Sequence, residues 1–246
     1  PKRRLKVGTF KVESTGFRLG ERFIKIIFDN ALKRNVDEIY VTLFEDRPEL
    51  GALQELFERW GFFRYGKNTS TGKEEAVFVK KLNTYDPTLS PKKNFPNILY
   101  NVNKFIMPIK ACWHTYLLPD SQLRTENQIN FLGNDACKYA LQKVYIPWST
   151  NTNGAHPGDL VFFYRMGEPY EKKAYKSVLS TLCIVDEIKT DLHSENDLLK
   201  YCQNRSVFPE KELRAIWKRF NGNLIVVKFI QVSPLVKRPV LKELWD

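Results

Sequence analysis

Cysteine and histidine are scarce in this chain and nowhere clustered. Four cysteines and three histidines serve 246 residues. Cys112, Cys137, Cys183 and Cys202 lie 25, 46 and 19 residues apart, so no Cys-x-x-Cys pair exists. His114, His156 and His193 are equally scattered. A structural zinc site draws four such ligands from closely spaced pairs, so no metal site is expected. Sparse cysteines also fit reduced thiols in a cytoplasmic protein better than a disulfide framework. Long apolar runs are missing too. The best, Leu224 to Val232, is broken by Lys228 and falls short of the roughly 18 residues that suggest a membrane span. No secretory leader is expected, because Pro1-Lys2-Arg3-Arg4 runs into alternating polar and apolar residues. Internal repeats and low-complexity tracts are absent. The first residue is Pro1 rather than Met, from which a trimmed or partial chain is expected.

What is present is an ordinary globular composition, 43% apolar and 27% charged, with enough length for one to two domains. Positive charge is in excess: 39 Lys and Arg against 28 Asp and Glu, net +11. Such a balance favours a polyanion: nucleic acid, a phosphate-rich cofactor or an anionic surface. It is spread along the chain. Residues 1–85 hold 17 basic and 12 acidic side chains, and residues 86–246 hold 22 and 16. The densest stretch is only Lys2 to Lys6.

Periodicity predicts two regions. Leu5 to Val12 alternates around Gly8 as a strand, followed by the turn-rich loop Ser14 to Gly20. Glu21 to Arg34 has helical spacing, with Phe23, Ile26, Ile27, Asn30 and Ala31 on one face. Glu38 to Phe44 reads as a strand. A helix follows with Leu50, Leu53, Leu56, Phe57 and Trp60 on one face, Pro48 in its first turn, Asp46 as its cap and Gly61 at its end. Ala76 to Val79 closes the region as a strand. Residues 83–97 carry Pro87, Pro91 and Pro96 and read as a linker. Beyond them, strands are expected at Lys143 to Ile146, Leu160 to Arg165, Val178 to Asp186 and Leu224 to Pro234. Short helices are expected at Glu195 to Cys202 and Pro209 to Phe220. Strands dominate here, so the second region reads as a small barrel-like α+β domain.

The loop Gly16-Phe17-Arg18-Leu19-Gly20-Glu21 is the first functional signal. Where a strand runs through such a loop into a helix, the first backbone N–H groups face outward unpaired. With the helix dipole they suit a pyrophosphate, and Arg18 and Arg22 add charge. Residues 5–82 resemble the second half of the GNAT acetyltransferase fold. Thr15 to Gly20 takes the place of the family's Arg/Gln-x-x-Gly-x-Gly/Ala loop, with Gly20 matching its last small residue. Leu56-Phe57-Glu58-Arg59-Trp60-Gly61-Phe62 takes the place of its Leu-Tyr-x-x-x-Gly-Phe ending. The resemblance implies acetyl-CoA as cofactor. Lys11 and Val12 would hold the pantetheine arm through their backbone. Gly16, Phe17, Arg18, Leu19, Gly20, Glu21 and Arg22 would hold the pyrophosphate. Glu13 is the nearby carboxylate that could serve as base. Two departures weaken this. The family's Tyr acid is Phe57 here, and a phenyl ring donates no proton. The family's first half, which shapes the acceptor pocket, has no counterpart expected in the four residues that precede Leu5.

In the second region, Val144 to Thr150 is followed by His156-Pro157-Gly158-Asp159 and the apolar run Leu160 to Tyr164. A Pro-Gly-Asp turn feeding an apolar strand resembles the PUA-like superfamily, which includes EVE and ASCH domains. The ASCH-type Gly-x-Lys-x-x-Glu signature is absent. The resemblance implies binding of RNA or modified DNA, which needs a basic cleft and aromatic faces for a base to stack on. Trp148 with Ser149 supplies a stacking face and a hydrogen-bonding neighbour, and Tyr164, Arg165 and Arg205 are expected in the same cleft. His114 reads as a packed histidine.

The expected architecture is therefore α/β plus α+β. A partial GNAT-like half-domain spans 1–82, a linker 83–97, and a PUA-like β-barrel domain 98–246. Two functions compete, and the sequence narrowly favours the first. One is an acetyl-CoA-dependent N-acetyltransferase acting with an attached nucleic-acid-binding module. The other is a non-catalytic reader of RNA or modified DNA whose acetyltransferase-like half is degenerate. A third reading is one partner of a toxin–antitoxin or phage-defence pair, acting through another protein.

Overall fold

The computed structural model describes residues 2–8, 18–44, 46–47, 50–69, 72, 74–124, 126, 136–148 and 154–245. The chain is mixed α/β and divides into two compact units, one holding residues 19–99 with the first strand, the other Arg18 with residues 100–246.

The first unit runs β1 (Arg4–Val7), α1 (Leu19–Lys33), β2 (Glu38–Leu43), α2 (Gly51–Arg59), β3 (Phe63–Asn68), β4 (Glu75–Lys81) and α3 (Pro91–Asn94). Its sheet order is β1-β2-β4-β3. β1 pairs parallel with β2, Arg4 opposite Glu38 and Val7 opposite Val41, so a crossover must join them, and α1 lies on it. β4 pairs antiparallel with both β2 and β3. The core is aromatic. Phe28 lies 6.4 Å from Trp60 and 5.5 Å from Phe95, and Phe57 lies 4.8 Å from Phe62, all within the range of favourable ring pairs.

Four expectations change here. The stripe on α1 is rotated: Ile24, Lys25, Phe28 and Ala31 are buried, while Phe23 and Ile26 stay exposed. Two overlapping apolar stripes occur in this helix, and the aromatic core selects the one bearing Phe28. Asp46 is not the cap of α2, since Leu50 holds the N-cap position and makes no side-chain cap bond. β3 was not expected at all. Four of its six residues are exposed and none is buried, so it shows no apolar face, and it exists through its pairing with β4. The expected linker 83–97 is part of the first unit. It contains α3, capped by the Ser90 hydroxyl accepting from the Lys93 amide, and it delivers buried Phe95 to the core. The Pro48 expectation and the Val12 end of the first strand lie outside the described residues.

The end of α2 follows expectation. The Gly61 amide donates to Glu58 O at 3.0 Å and the Phe62 amide to Phe57 O at 3.1 Å, closing the helix as a Schellman turn. Gly61 has φ +79°, and a Cβ there would lie 2.1 Å from Lys93 O. Gly61→Ala should therefore lower stability by about 1–3 kcal/mol, read as a shift of the urea midpoint. An unchanged midpoint would contradict this close approach.

The second unit runs β5 (Lys104–Lys110), α4 (Ala111–Leu117), α5 (Ala136–Tyr139), β6 (Gln142–Tyr145), β7 (Leu160–Met166), α6 (Lys173–Lys176), β8 (Val178–Lys189), α7 (Glu195–Cys202), α8 (Glu210–Arg219), β9 (Val226–Pro234) and α9 (Leu241–Trp245). The four expected strands and two expected helices occur within a few residues of their expected places. The sheet order is β5-β7-β8-β9-β6, with β5 parallel to β7 and the other pairs antiparallel. The expected barrel is not closed among the described residues, because β5 and β6 form the two edges and no ladder joins them. Pro108 in β5 lacks an N–H and suits an edge strand, and it also hid this strand from the sequence pattern. Two apolar clusters pack against the sheet. One contains Met107, Leu117, Val161, Phe163, Cys183 and Phe229. The other contains Val144, Leu198, Leu213, Ile216 and Val226. The Pro157-Gly158-Asp159 turn pins the edge strand. Asp159 accepts from the Asn103 amide at 3.2 Å and the His156 amide at 2.8 Å, and Gly158 has φ +98°.

Candidate nucleic-acid interface

The open edges of the second sheet leave a cleft between β5 and the end of β6. Its cavity volume is about 260 Å³. That is below the roughly 300–1,000 Å³ of drug-sized sites, so it has room for a small ring system. Phe105, Ile106 and Pro108 of β5 form one wall, and Tyr145 and Trp148 the other. Trp113 of α4 and Phe208 close it, their ring centroids 5.3 Å apart. Burial pushes the Tyr145 hydroxyl up to about 12, so it stays protonated and donates to the Pro108 carbonyl. This bond spans the edges that no ladder joins.

Trp148 stands at the mouth of the cleft, 51% exposed. The Arg219 guanidinium lies 4.7 Å from its ring centroid, and Phe220 meets it edge-on at 5.7 Å. The indole is thus held from behind with about half its surface open. Lys110, exposed at the end of β5, adds a positive charge at the rim. Apolar walls, an open aromatic face and a nearby cation suit a planar, uncharged ring attached to a negative backbone.

The cleft expected from sequence is not assembled. Of its described members Trp148 lines the cavity, whereas Tyr164, Arg165 and Arg205 do not. Ser149 lies outside the described residues. Tyr164 is half-buried on β7. Arg205 is buried, donates to the Gln142 carbonyl and lines a separate polar cleft with Lys189, Lys200 and Lys228. Phe105, Ile106, Pro108, Trp113, Tyr145 and Phe208 were missed. Tyr145, three residues before Trp148, was the one legible signal.

Arg165 belongs to a buried network. Its Nε donates to Glu126 Oε1 at 2.7 Å. Glu126 also accepts from the Thr115 hydroxyl at 2.8 Å and the Leu123 amide at 2.8 Å. His114 Nδ1 lies 3.3 Å from Glu126 Oε1, and its Nε2 lies 2.8 Å from Ser180 Oγ. Ser, His and Glu in series have the order of a nucleophile relay. Both His114 and Ser180 are without exposed surface, so no substrate reaches them, and the series acts as a lock. His114 is thus a satisfied core histidine, as its sequence setting suggested.

On the first unit, Leu19, Gly20, Glu21 and Arg22 form the first turn of α1, and Arg18 precedes it with φ +57°. Gly20 has a packing reason, since a Cβ there would meet Leu56 Cδ2 at 2.7 Å. Glu21 is buried, which places a carboxylate where the helix dipole favours an anion. Phe57 is fully buried. Lys11, Val12, Glu13, Gly16 and Phe17 lie outside the described residues.

No family model, no curated protein and no solved structure matches this chain. All four cysteines are free thiols, with Cys112 exposed. Among the described residues no cluster of three or more His, Cys, Asp or Glu could hold a metal ion, and no helix is long and apolar enough to cross a membrane.

Burial pushes the Glu126 carboxyl up, but hydrogen bonds from His114, the Leu123 amide and Arg165, with the attraction of His114, outweigh it and hold it at about 2. A depressed folded value gives stability that is present above the ordinary value of 4.5 and lost as pH falls toward 2. Glu126→Gln should therefore cost about 1–3 kcal/mol at pH 7. The gap to the parent should narrow between pH 4.5 and 2. Urea unfolding at several pH values measures this, and a gap independent of pH would remove the carboxylate from the account.

Proposed function

We propose that this protein binds nucleic acid without catalysis, taking one unstacked base of an RNA, or a modified base of DNA, into the cleft between β5 and β6. The observation that carries this reading is Trp148, half exposed at the mouth of an apolar, aromatic cavity and backed by Arg219. A base has an apolar face for such walls. The net charge of +11 supplies the sequence-independent attraction to phosphates. The resemblance of the Pro157-Gly158-Asp159 turn and its strand to PUA-like domains supports the same assignment. We place the protein in the cytoplasm, where four free thiols stay reduced. A protein partner of the toxin–antitoxin kind is not needed for this activity.

Under this reading the first unit is an acetyltransferase-like scaffold. The parallel β1–α1–β2 crossover favours the second reading, an acetyl-CoA-dependent N-acetyltransferase. Two features count against transfer. Phe57 carries no hydroxyl and is sealed in the core, and the Glu21 carboxylate competes with a pyrophosphate for the first turn of α1.

Fluorescence anisotropy with short labelled oligonucleotides tests the main reading. Trp148→Ala should weaken binding by about 1–3 kcal/mol while the circular dichroism spectrum stays that of the folded parent. Binding of all labelled RNAs and DNAs, modified bases included, that ignores this substitution would overturn the site. A melting curve with acetyl-CoA tests the second. A scaffold should show no shift, whereas a true site at a hundredfold excess over Kd should add about 2.7 kcal/mol.

A further inference from the structure

We propose that Lys80 is a reactive amine in a second cleft, on the first unit, and that it captures a small anionic aldehyde or ketone as an imine. Ala76, Phe78 and Lys80 share one face of β4, since side chains alternate along a strand. Ala76 and Phe78 belong to the core, and Lys80 is only 3% exposed. A lysine there is unusual, because burying an ammonium without a partner is costly. Among the described residues no carboxylate pairs with it. Its Nζ donates instead to the backbone carbonyl of Lys93.

The amine has space built around it. It lines a cleft of about 450 Å³ with Gly61, Phe63, Lys81, Asp86 and Lys93. A Cβ on Gly61 would lie 2.7 Å from Lys80 Nζ, so the amine rests over a bare Cα. The remaining charged or titratable groups of this cleft are Lys81, Lys93, Tyr85 and Asp86. The Asp86 carboxylate is already engaged by the Thr88 amide at 2.9 Å and the Thr88 hydroxyl at 2.6 Å. Cations outnumber the one carboxylate, which favours an anionic ligand.

Burial pushes the Lys80 ammonium down to about 7, so near neutral pH about half of it is free base. The neutral amine gives one N–H to Lys93 and keeps its lone pair. That pair attacks the carbonyl carbon of the ligand, the carbonyl π electrons move to oxygen, and one nitrogen proton passes to that oxygen to give the neutral carbinolamine. The carbinolamine then loses its hydroxyl and the remaining nitrogen proton as water, leaving a C=N bond. Amine and carbonyl compound go in, imine and water come out, and no oxidant or reductant is required. This site is independent of the base-binding cleft, and either can fail alone.

Pyridoxal 5′-phosphate is a suitable probe, being a small anionic aldehyde. The full chain is treated with it at a series of pH values, reduced with borohydride, digested and mapped by mass spectrometry. Lys80 should be labelled ahead of the exposed lysines at pH 7, with a rate profile centred near 7. Lys80→Arg should lose that fast phase and keep the slow labelling elsewhere. Labelling distributed by exposure, with Lys80 untouched or rising only toward pH 10, would overturn the proposal. The parent protein alone yields this profile, so the test does not depend on the variant folding.

Discussion

The Glu126 carboxylate ties the second unit together. Taking a carboxylate and a guanidinium out of water costs several kcal/mol each, and only dense hydrogen bonding repays that. Glu126 receives Arg165 from β7, Thr115 and His114 from α4, and the Leu123 amide from the segment after it. Ser180 of β8 joins through His114, and Thr181 and Ser121 extend the chain of bonds at 3.1 and 2.6 Å. Three elements far apart in sequence are thus held against one charge. Their exchange for water is blocked by the apolar cluster around Phe163 and Leu117.

The candidate site inherits its shape from this lock. Trp113 lies next to His114 on α4 and forms part of the cavity wall. The opposite wall depends on an incomplete sheet. Had β5 and β6 paired, the two edges would lie about 5 Å apart and the opening between them would be closed. Pro108 lacks the N–H such a ladder would use, and Tyr145 bridges the gap by a side chain instead. An aromatic slot with a cation behind its outer indole follows from that one missing ladder.

The strands at residues 142–145, 160–166 and 226–234 were legible because their apolar and β-branched residues face two covered surfaces. β3 and β5 were not. The first has four exposed residues of six and no buried one, and the second carries Lys104, Pro108 and Lys110 among its apolar positions. Trp148 was legible as an aromatic in a polar turn. Arg165 was misassigned to the cleft because charge alone does not tell a surface cation from one paired inside. The stripe on α1 was misplaced because two apolar faces overlap there, and only the aromatic partners Trp60, Phe62 and Phe95 distinguish them.

The excess of positive charge, most strands and helices, and the turn at Pro157 to Asp159 are written in the local sequence. These depend on neighbours within a few residues, where periodicity, capping and turn chemistry act. Tertiary structure alone decided which helix face is buried, that the second sheet stays open, that Arg165 and His114 serve a lock, and that Lys80 sits unpaired by any carboxylate among the described residues. Those outcomes depend on partners tens of residues away, whose contacts set the local dielectric and hydrogen bonding. No local pattern records them.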